Sequence, residues 1–98
     1  MEGEVKEYSW KFATVDMVLC NGPCELEYFN VAPSAGAAEC ALYNGVDTSG
    51  ELIIPVYLAV QLNYEYNPNP PIYCSKGLFI DIGDNVTGVL VQWRELPQ

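Results

Sequence analysis

The 98-residue sequence contains no histidine, and this absence narrows the chemistry available to it. Histidine is the side chain that most readily titrates near neutral pH, and it is also the commonest metal ligand. Catalysis would have to rest on carboxylates, a thiol or a lysine, and no catalytic motif brings such groups together. We therefore expect a protein that is not an enzyme and that has no catalytic residues, no cofactor and no metal.

Basic residues are scarce. Four lysines and arginines stand against 13 acidic residues, which gives a net charge of −9. The basic residues are Lys6, Lys11, Lys76 and Arg94, and they form no stripe that could neutralise phosphates. We expect no nucleic-acid partner, whereas so acidic a surface could steer the protein toward a basic protein surface.

The sequence has no apolar run long enough to cross a bilayer. Its longest apolar-rich stretch, residues 52–62, is interrupted by Pro55 and Gln61. The N-terminal residues MEGEVKEYSW also lack the basic and apolar segments of a secretory signal. We expect no membrane partner and a protein that is made in a cytoplasm.

A sustained helical stripe is missing as well, and alternation of apolar and polar residues is present instead. Residues 51–62, 24–28 and 38–42 each place apolar side chains on one phase. Clusters of Gly, Pro, Asn and Ser separate these stretches at roughly 8- to 15-residue intervals. The pattern predicts an all-β, antiparallel β-sandwich of jelly-roll or Ig-like type, with seven to eight strands and little or no helix. It would occupy residues 8–98, behind a flexible arm at residues 1–7.

Two local features refine this prediction. Pro55 cannot donate to a strand ladder, so residues 51–62 should lie at a sheet edge or contain a bulge. The apolar phase also changes within the first strand, near Ala13, which predicts a bulge or bend there and a switch from one sheet to the other. The first phase contains Tyr8, Trp10 and Phe12, and the second contains Val15, Met17 and Leu19.

Four cysteines leave three interpretations open. Cys20, Cys24, Cys40 and Cys74 are best read as buried thiols, because free cysteine is among the most buried residue types. Disulfides are the second interpretation and would need an oxidising compartment. A zinc site is the third, although only the pair Cys20 and Cys24 is closely spaced.

The stretch GLFIDIGDNVTGVLVQW, residues 77–93, raises the question of a cation site. Asp81, Asp84 and Asn85 offer oxygen ligands, but their spacing does not match a calcium-binding loop. Asp and Asn are also common in tight turns. We therefore predict a hairpin that pairs residues 77–82 with residues 89–93.

Aromatic residues are plentiful, with seven tyrosines and two tryptophans. Tyr64 and Tyr66 precede the proline-rich segment 67–71, where exposed rings could stack on sugars or anchor a protein interface. Equally, they could finish the preceding strand, with one ring covering the core edge. As interface residues we predict Trp10, Tyr57, Tyr64 and Tyr66.

The order of these pieces resembles that of small structural proteins of tailed bacteriophages. The resemblance rests on CELEYFNVAPSAGAAECALYNGVDTSGELI, then a long apolar strand, then PPIYCSKGLFIDIGDNVTGVLVQW, and it covers roughly residues 24–94. In such proteins an alanine-rich turn leads to a "LYNG" corner, and a "TGVxVxW" strand closes the chain.

This resemblance implies a virion structural protein, with a capsid decoration (cement) protein as the first expectation and a tail or head–tail connector component as the second. It implies the major capsid protein or other virion proteins as partners, assembly as a homo-trimer, and a location in the virion after synthesis in the host cytoplasm. From the residues themselves, a carbohydrate-binding β-sandwich remains an alternative, with Trp10, Tyr64, Tyr66 or Trp93 as stacking platforms.

Overall fold

The computed structural model describes residues 8–97, and within this range the chain forms nine β-strands and no helix. The predicted arm at residues 1–7 lies outside the described residues. The strands are β1 Ser9–Ala13, β2 Met17–Cys20, β3 Cys24–Pro33, β4 Ala38–Asn44, β5 Glu51–Leu58, β6 Tyr64–Tyr66, β7 Ile72–Cys74, β8 Leu78–Ile82 and β9 Val86–Glu95.

The strands form two antiparallel sheets, which confirms the all-β sandwich prediction with nine strands rather than seven or eight. The five-stranded sheet has the order β1-β9-β3-β6, and β7 also pairs with β3. The four-stranded sheet has the order β2-β8-β4-β5. Because β1 ends at Ala13 in one sheet and β2 begins at Met17 in the other, the predicted switch of sheets near Ala13 is confirmed.

One apolar core fills the space between the two sheets. Alternating side chains of β3, β4, β8 and β9 supply most of it, as expected where each strand buries one face. Phe29, Leu26 and Leu42 are the largest side chains that are fully buried. Val89, Val91 and Trp93 also point inward, as their shared phase predicts.

A bulge in β3 overturns the predicted phase of Tyr28. The pairing of β3 with β9 shifts register between Leu26 and Tyr28, so Glu27 is the extra residue. Beyond the bulge Phe29 points into the core with no exposed surface, whereas Tyr28 points outward. Strict alternation from Cys24 and Leu26 places Tyr28 inside, because the pattern of apolar and polar residues does not show that Glu27 is an inserted residue.

The predicted hairpin across residues 77–93 is wrong. β8 pairs with β2 and β4, whereas β9 pairs with β1 and β3, so the turn between them crosses from one sheet to the other. Asn85 fixes this corner, because its φ is 62° and its side-chain amide donates to the backbone oxygens of Gly36 at 3.1 Å and Ala37 at 3.3 Å. Alternation shows which face of a strand is buried, but two strands that face the same core can belong to different sheets.

The predicted strand at residues 51–62 is shorter than expected. β5 ends at Leu58, and the side chains of Val60 and Leu62 are 59% and 69% exposed. The edge position inferred from Pro55 is confirmed, because β5 is the last strand of its sheet and pairs only with β4.

Candidate interaction surface

One side of the sandwich is bounded by two unpaired strand edges. β1 is the last strand of the five-stranded sheet and pairs only with β9, and β2 is the last strand of the four-stranded sheet and pairs only with β8. Residues 14–16 join the two strands, so both edges lie on the same side. An unpaired edge presents backbone donors and acceptors that another strand can use.

Exposed apolar side chains concentrate at this side. Among the described residues, five of the eleven large hydrophobic side chains with high exposure lie within residues 8–18. They are Tyr8 (55%), Trp10 (67%), Phe12 (43%), Val15 (60%) and Val18 (43%), and we call them the open-side patch. A cluster of large apolar groups in water is a typical mark of a surface that is covered by a partner.

A cleft of about 280 Å³ opens beside the patch, between the edges of the two sheets. Its lining consists of Trp10, Lys11, Met17, Val18, Leu19 and Trp93. Trp93 is only 6% exposed, and its indole N–H has no hydrogen-bond acceptor among the described residues. Leaving a buried donor unpaired costs about 1–3 kcal/mol.

An apolar row continues from the patch across the outer face of the four-stranded sheet. The strand register pairs Val18 with Phe79, Phe79 with Tyr43, and Tyr43 with Leu52. The rings of Tyr43 and Phe79 are 6.4 Å apart between centroids, and Leu52 is 49% exposed. The solvated face of an antiparallel sheet is usually polar, so four apolar residues in register across all four strands indicate a face that contacts something other than water.

A cleft of about 410 Å³ with an acidic lining lies next to this row. Glu39, Asp81 and the exposed ring of Tyr57 contribute to its walls. Burial, together with the neighbouring Asp16, raises the pKa of Asp81. A positively charged group that entered this cleft beside Asp81 would relieve its repulsion with Asp16.

The four predicted interface residues fall into two groups. Trp10 belongs to the open-side patch. Tyr57 and Tyr64 line a small cleft at the opposite side of the sandwich, between β5 and β6. Tyr64 and Tyr66 are half-buried, with ring centroids 6.2 Å and 5.2 Å from that of Phe29. Both tyrosines therefore cover the core edge, rather than one covering it and one facing water.

Sequence reasoning did not single out the apolar row or the lining of the open-side cleft. The signal was present where apolar residues occupy both phases of a strand, as in Val18–Leu19, Leu42–Tyr43 and Leu78–Phe79. A strand that is apolar on both phases is covered on both faces. Lys11 carried no such signal, because only the pairing of β1 with β9 brings it to the edge of the cleft.

The outer face of the five-stranded sheet is polar and aromatic. The register places Trp10 opposite Gln92, and Gln92 opposite Tyr28. The Tyr28 hydroxyl donates to Glu65 at 2.8 Å and accepts from the Asn30 amide at 3.4 Å. Asn63 donates in turn to the Asn30 side-chain oxygen at 3.2 Å, so a network of hydrogen-bonded side chains surrounds the Tyr28 hydroxyl.

The cysteines and the acidic corner do not form a metal site. All four cysteines are buried and free, in agreement with the favoured interpretation of buried thiols. Among residues 8–97, no three Cys, Asp or Glu side chains are arranged to hold a metal ion. The backbone carbonyl of Asp84 accepts a hydrogen bond from Glu39 N at 3.0 Å, so the corner is held against the start of β4.

The surface thus belongs to an all-β sandwich, and it lies at the side that is bounded by the unpaired edges of β1 and β2. No protein-family model matches the chain, and neither the curated proteins nor the solved structures contain a match. In the part of the chain that the structure describes, no helix has the length and apolar character to span a membrane.

Proposed function

We propose that this chain is a non-enzymatic structural protein of a tailed-bacteriophage virion, and that it acts as a capsid decoration (cement) protein. The observation that carries the proposal is the open-side patch beside two unpaired strand edges. A rigid sandwich with one apolar, unpaired side is suited to filling a position between neighbouring subunits. The resemblance in residues 24–94 names the kind of assembly, and the patch supplies a means of attachment.

Attachment would use three kinds of contact at the open side. A strand of a capsid subunit would pair with the free edge of β1 and extend the five-stranded sheet. Its inward-facing side chains would contact Met17 and Leu19 in the cleft. Trp10 is the expected anchor, because large aromatic residues near the centre of an interface contribute most to affinity.

The negative charge of the chain favours a basic partner at this face over a second copy of the same chain. The chain has a net charge of −9, and Glu39 and Asp81 lie beside the apolar row. A capsid surface with lysine and arginine around an apolar centre would complement this arrangement. Copies of the chain would then meet as trimers around a symmetry axis of the lattice, each fixed mainly by the shell.

Stabilisation of the shell follows from mass action. A protein that binds assembled shells and not free capsid subunits shifts the equilibrium toward assembly, by about 2.7 kcal/mol per site at a concentration 100 times its Kd. No chemical step is required. The same argument makes the effect depend on the concentration of the chain.

Binding to capsid shells is the direct test. Shells assembled from the major capsid protein of the same phage, and purified without this chain, are mixed with the chain and sedimented. We expect co-sedimentation at a fixed stoichiometry and a higher temperature of shell disruption. Absence of binding, together with a monomeric mass in solution, would refute the proposal. Binding to tails or connectors in place of shells would move the chain to the second location considered above.

Matched variants localise the contact. Trp10→Ala should weaken binding by at least about 30-fold, the effect of losing a hot-spot aromatic residue worth about 2 kcal/mol. Tyr73→Ala is the control, because Tyr73 is 61% exposed on β7, away from the open side. Val18→Glu and Val60→Glu form a second matched pair, with exposures of 43% and 59%. Equal effects within each pair would place the contact elsewhere.

A carbohydrate-binding module is the second candidate, and the row Trp10–Gln92–Tyr28 favours it. Aromatic rings flanked by fixed amides and a carboxylate suit the apolar faces and hydroxyls of sugars. Trp93 is buried, and Tyr64 and Tyr66 pack against Phe29, so these three rings do not serve as open platforms. A glycan array tests whether the chain binds sugars. Tyr28→Ala then separates the two candidates, because it should abolish sugar binding and leave attachment to shells unchanged.

A further inference from the structure

Three of the four cysteines lie together at one end of the sandwich. Cys24 and Cys74 are directly opposed partners in the antiparallel pair β3–β7. Opposed residues of antiparallel strands have Cα atoms about 4.5–5.5 Å apart, and this separation lies within the range of about 4.4–6.8 Å that a disulfide bridges. Neither side chain has any exposed surface.

Cys20 is the third member of this cluster and the one nearest to solvent. It is 7% exposed and borders a cleft of about 220 Å³ that Asn21, Gly22 and Pro23 also line. Burial raises its pKa, and its thiol is close enough to those of Cys24 and Cys74 to interact with both. Cys40 lies apart from them on β4, opposite Val56 and Ile82.

We infer that Cys20, Cys24 and Cys74 form a thiol relay that a small disulfide oxidant converts into a Cys24–Cys74 disulfide. The Cys20 thiolate first attacks the oxidant RSSR, which breaks its S–S bond and releases one RSH. Cys24 then attacks the Cys20 sulfur and releases the second RSH. Cys74 finally attacks the Cys24 sulfur, which returns Cys20 to the thiol. The net reaction removes two hydrogens from the protein and reduces one RSSR to two RSH.

The two thiols of the pair interact directly. Their contact lowers the pKa of Cys74, and the same contact together with burial raises the pKa of Cys24. β7 is only three residues long, so the small movements that exchange requires are confined to a short edge strand.

The disulfide would fasten β7 to β3 and close a long loop of the chain, from residue 24 to residue 74. Cross-links over loops of this length raise stability chiefly by restricting the unfolded state. We expect the melting temperature to rise by about 10 °C or more on oxidation. The inference does not depend on the proposed function, since it concerns the isolated chain.

The test uses the full chain, oxidised glutathione as the disulfide oxidant, and alkylation of the remaining thiols. Cleavage after glutamate places Cys40 and Cys74 on separate peptides, and Cys20 with Cys24 on a third. We expect the third peptide to be linked to that of Cys74, one alkylated thiol to remain on it, and Cys40 to be alkylated. A link that involves Cys40, or no link at all in the folded chain, would overturn the inference.

Single substitutions separate the two roles within the relay. Cys24→Ala and Cys74→Ala should each abolish the rise in melting temperature, whereas Cys40→Ala should leave it intact. Cys20→Ala should still yield the Cys24–Cys74 disulfide, but at least about ten times more slowly, because the oxidant must then reach a fully buried thiol. An unchanged rate in Cys20→Ala would remove Cys20 from the relay, and a final Cys20–Cys24 bond in the unsubstituted chain would refute the pairing.

Discussion

Replacement of Phe29 by alanine should remove a large part of the stability of this fold, whereas the same change at the neighbouring Tyr28 should have little effect. Phe29 is fully buried and contacts the rings of Tyr64 and Tyr66, whereas Tyr28 lies on the outer face and donates to Glu65. The contrast follows from the bulge at Glu27. If β3 continued the phase of Cys24 and Leu26 without a bulge, Tyr28 would be buried and Phe29 exposed, and the larger loss of stability would come from Tyr28→Ala.

The expected magnitudes differ several-fold. Truncation of a buried phenylalanine costs about 3–5 kcal/mol, and the lost edge contacts with two tyrosines place Phe29 toward the upper end of that range. A chain of 98 residues has a total stability of about 5–15 kcal/mol, so the variant is close to unfolding. Loss of the exposed Tyr28 hydrogen bond should cost about 0.5–1 kcal/mol.

Urea denaturation, followed by tryptophan fluorescence, measures both changes. We expect Phe29→Ala to lower the midpoint strongly with an unchanged m-value, and Tyr28→Ala to shift it slightly. If Phe29→Ala does not fold, Phe29→Leu, with an expected cost of about 1–2 kcal/mol, keeps the comparison measurable. A larger loss for Tyr28→Ala than for the Phe29 variants would refute the bulge and the outward position of Tyr28.

Three further outcomes are expected. Burial raises the pKa of the Cys40 thiol to about 11, so at high pH the folded state keeps a proton that the unfolded state loses. The free energy of unfolding should therefore fall as the pH rises from about 8.5 to 11, and it should fall less in Cys40→Val. Asn85→Ala should cost about 1–2 kcal/mol in thermal denaturation because of its positive φ and its lost amide contacts, and Asn85→Gly should cost less; equal costs would contradict the importance of the backbone angle. Arg94→Gln should destabilise slightly at pH 7, because Arg94 contacts Glu25 at 2.6 Å and lies 4.0 Å from Glu27; the loss should shrink as the pH falls, because burial raises the pKa of Glu27 and this carboxylate is neutralised on acidification.

Much of the fold could be predicted from alternation and turn residues. The sandwich class, the edge position of Pro55 and the switch of sheets near Ala13 all follow from local patterns. These features depend on which face of a strand is apolar and on which backbone groups are missing. Both properties are local in the sequence.

The features that the sequence left undetermined depend on long-range pairing. The inserted Glu27 becomes visible only when β3 is aligned with β9, and the sheet to which β8 belongs depends on its partners β2 and β4. The interaction surface has the same origin. Trp10 could be predicted as an exposed aromatic residue, but the cleft that it shares with Trp93 arises only because β1 pairs with β9 and β2 lies at the edge of the other sheet.

The two edge strands of the open side are also neighbours in the sequence, and they precede the strands that contain most of the core. Residues 8–20 supply β1 and β2, each of which pairs with a single strand, while β3, β4, β8 and β9 contain most of the core. A short stretch of coding sequence therefore determines both strand edges of the open side. Homologous exchange of that stretch could give the same sandwich a different attachment partner, with the framework left intact.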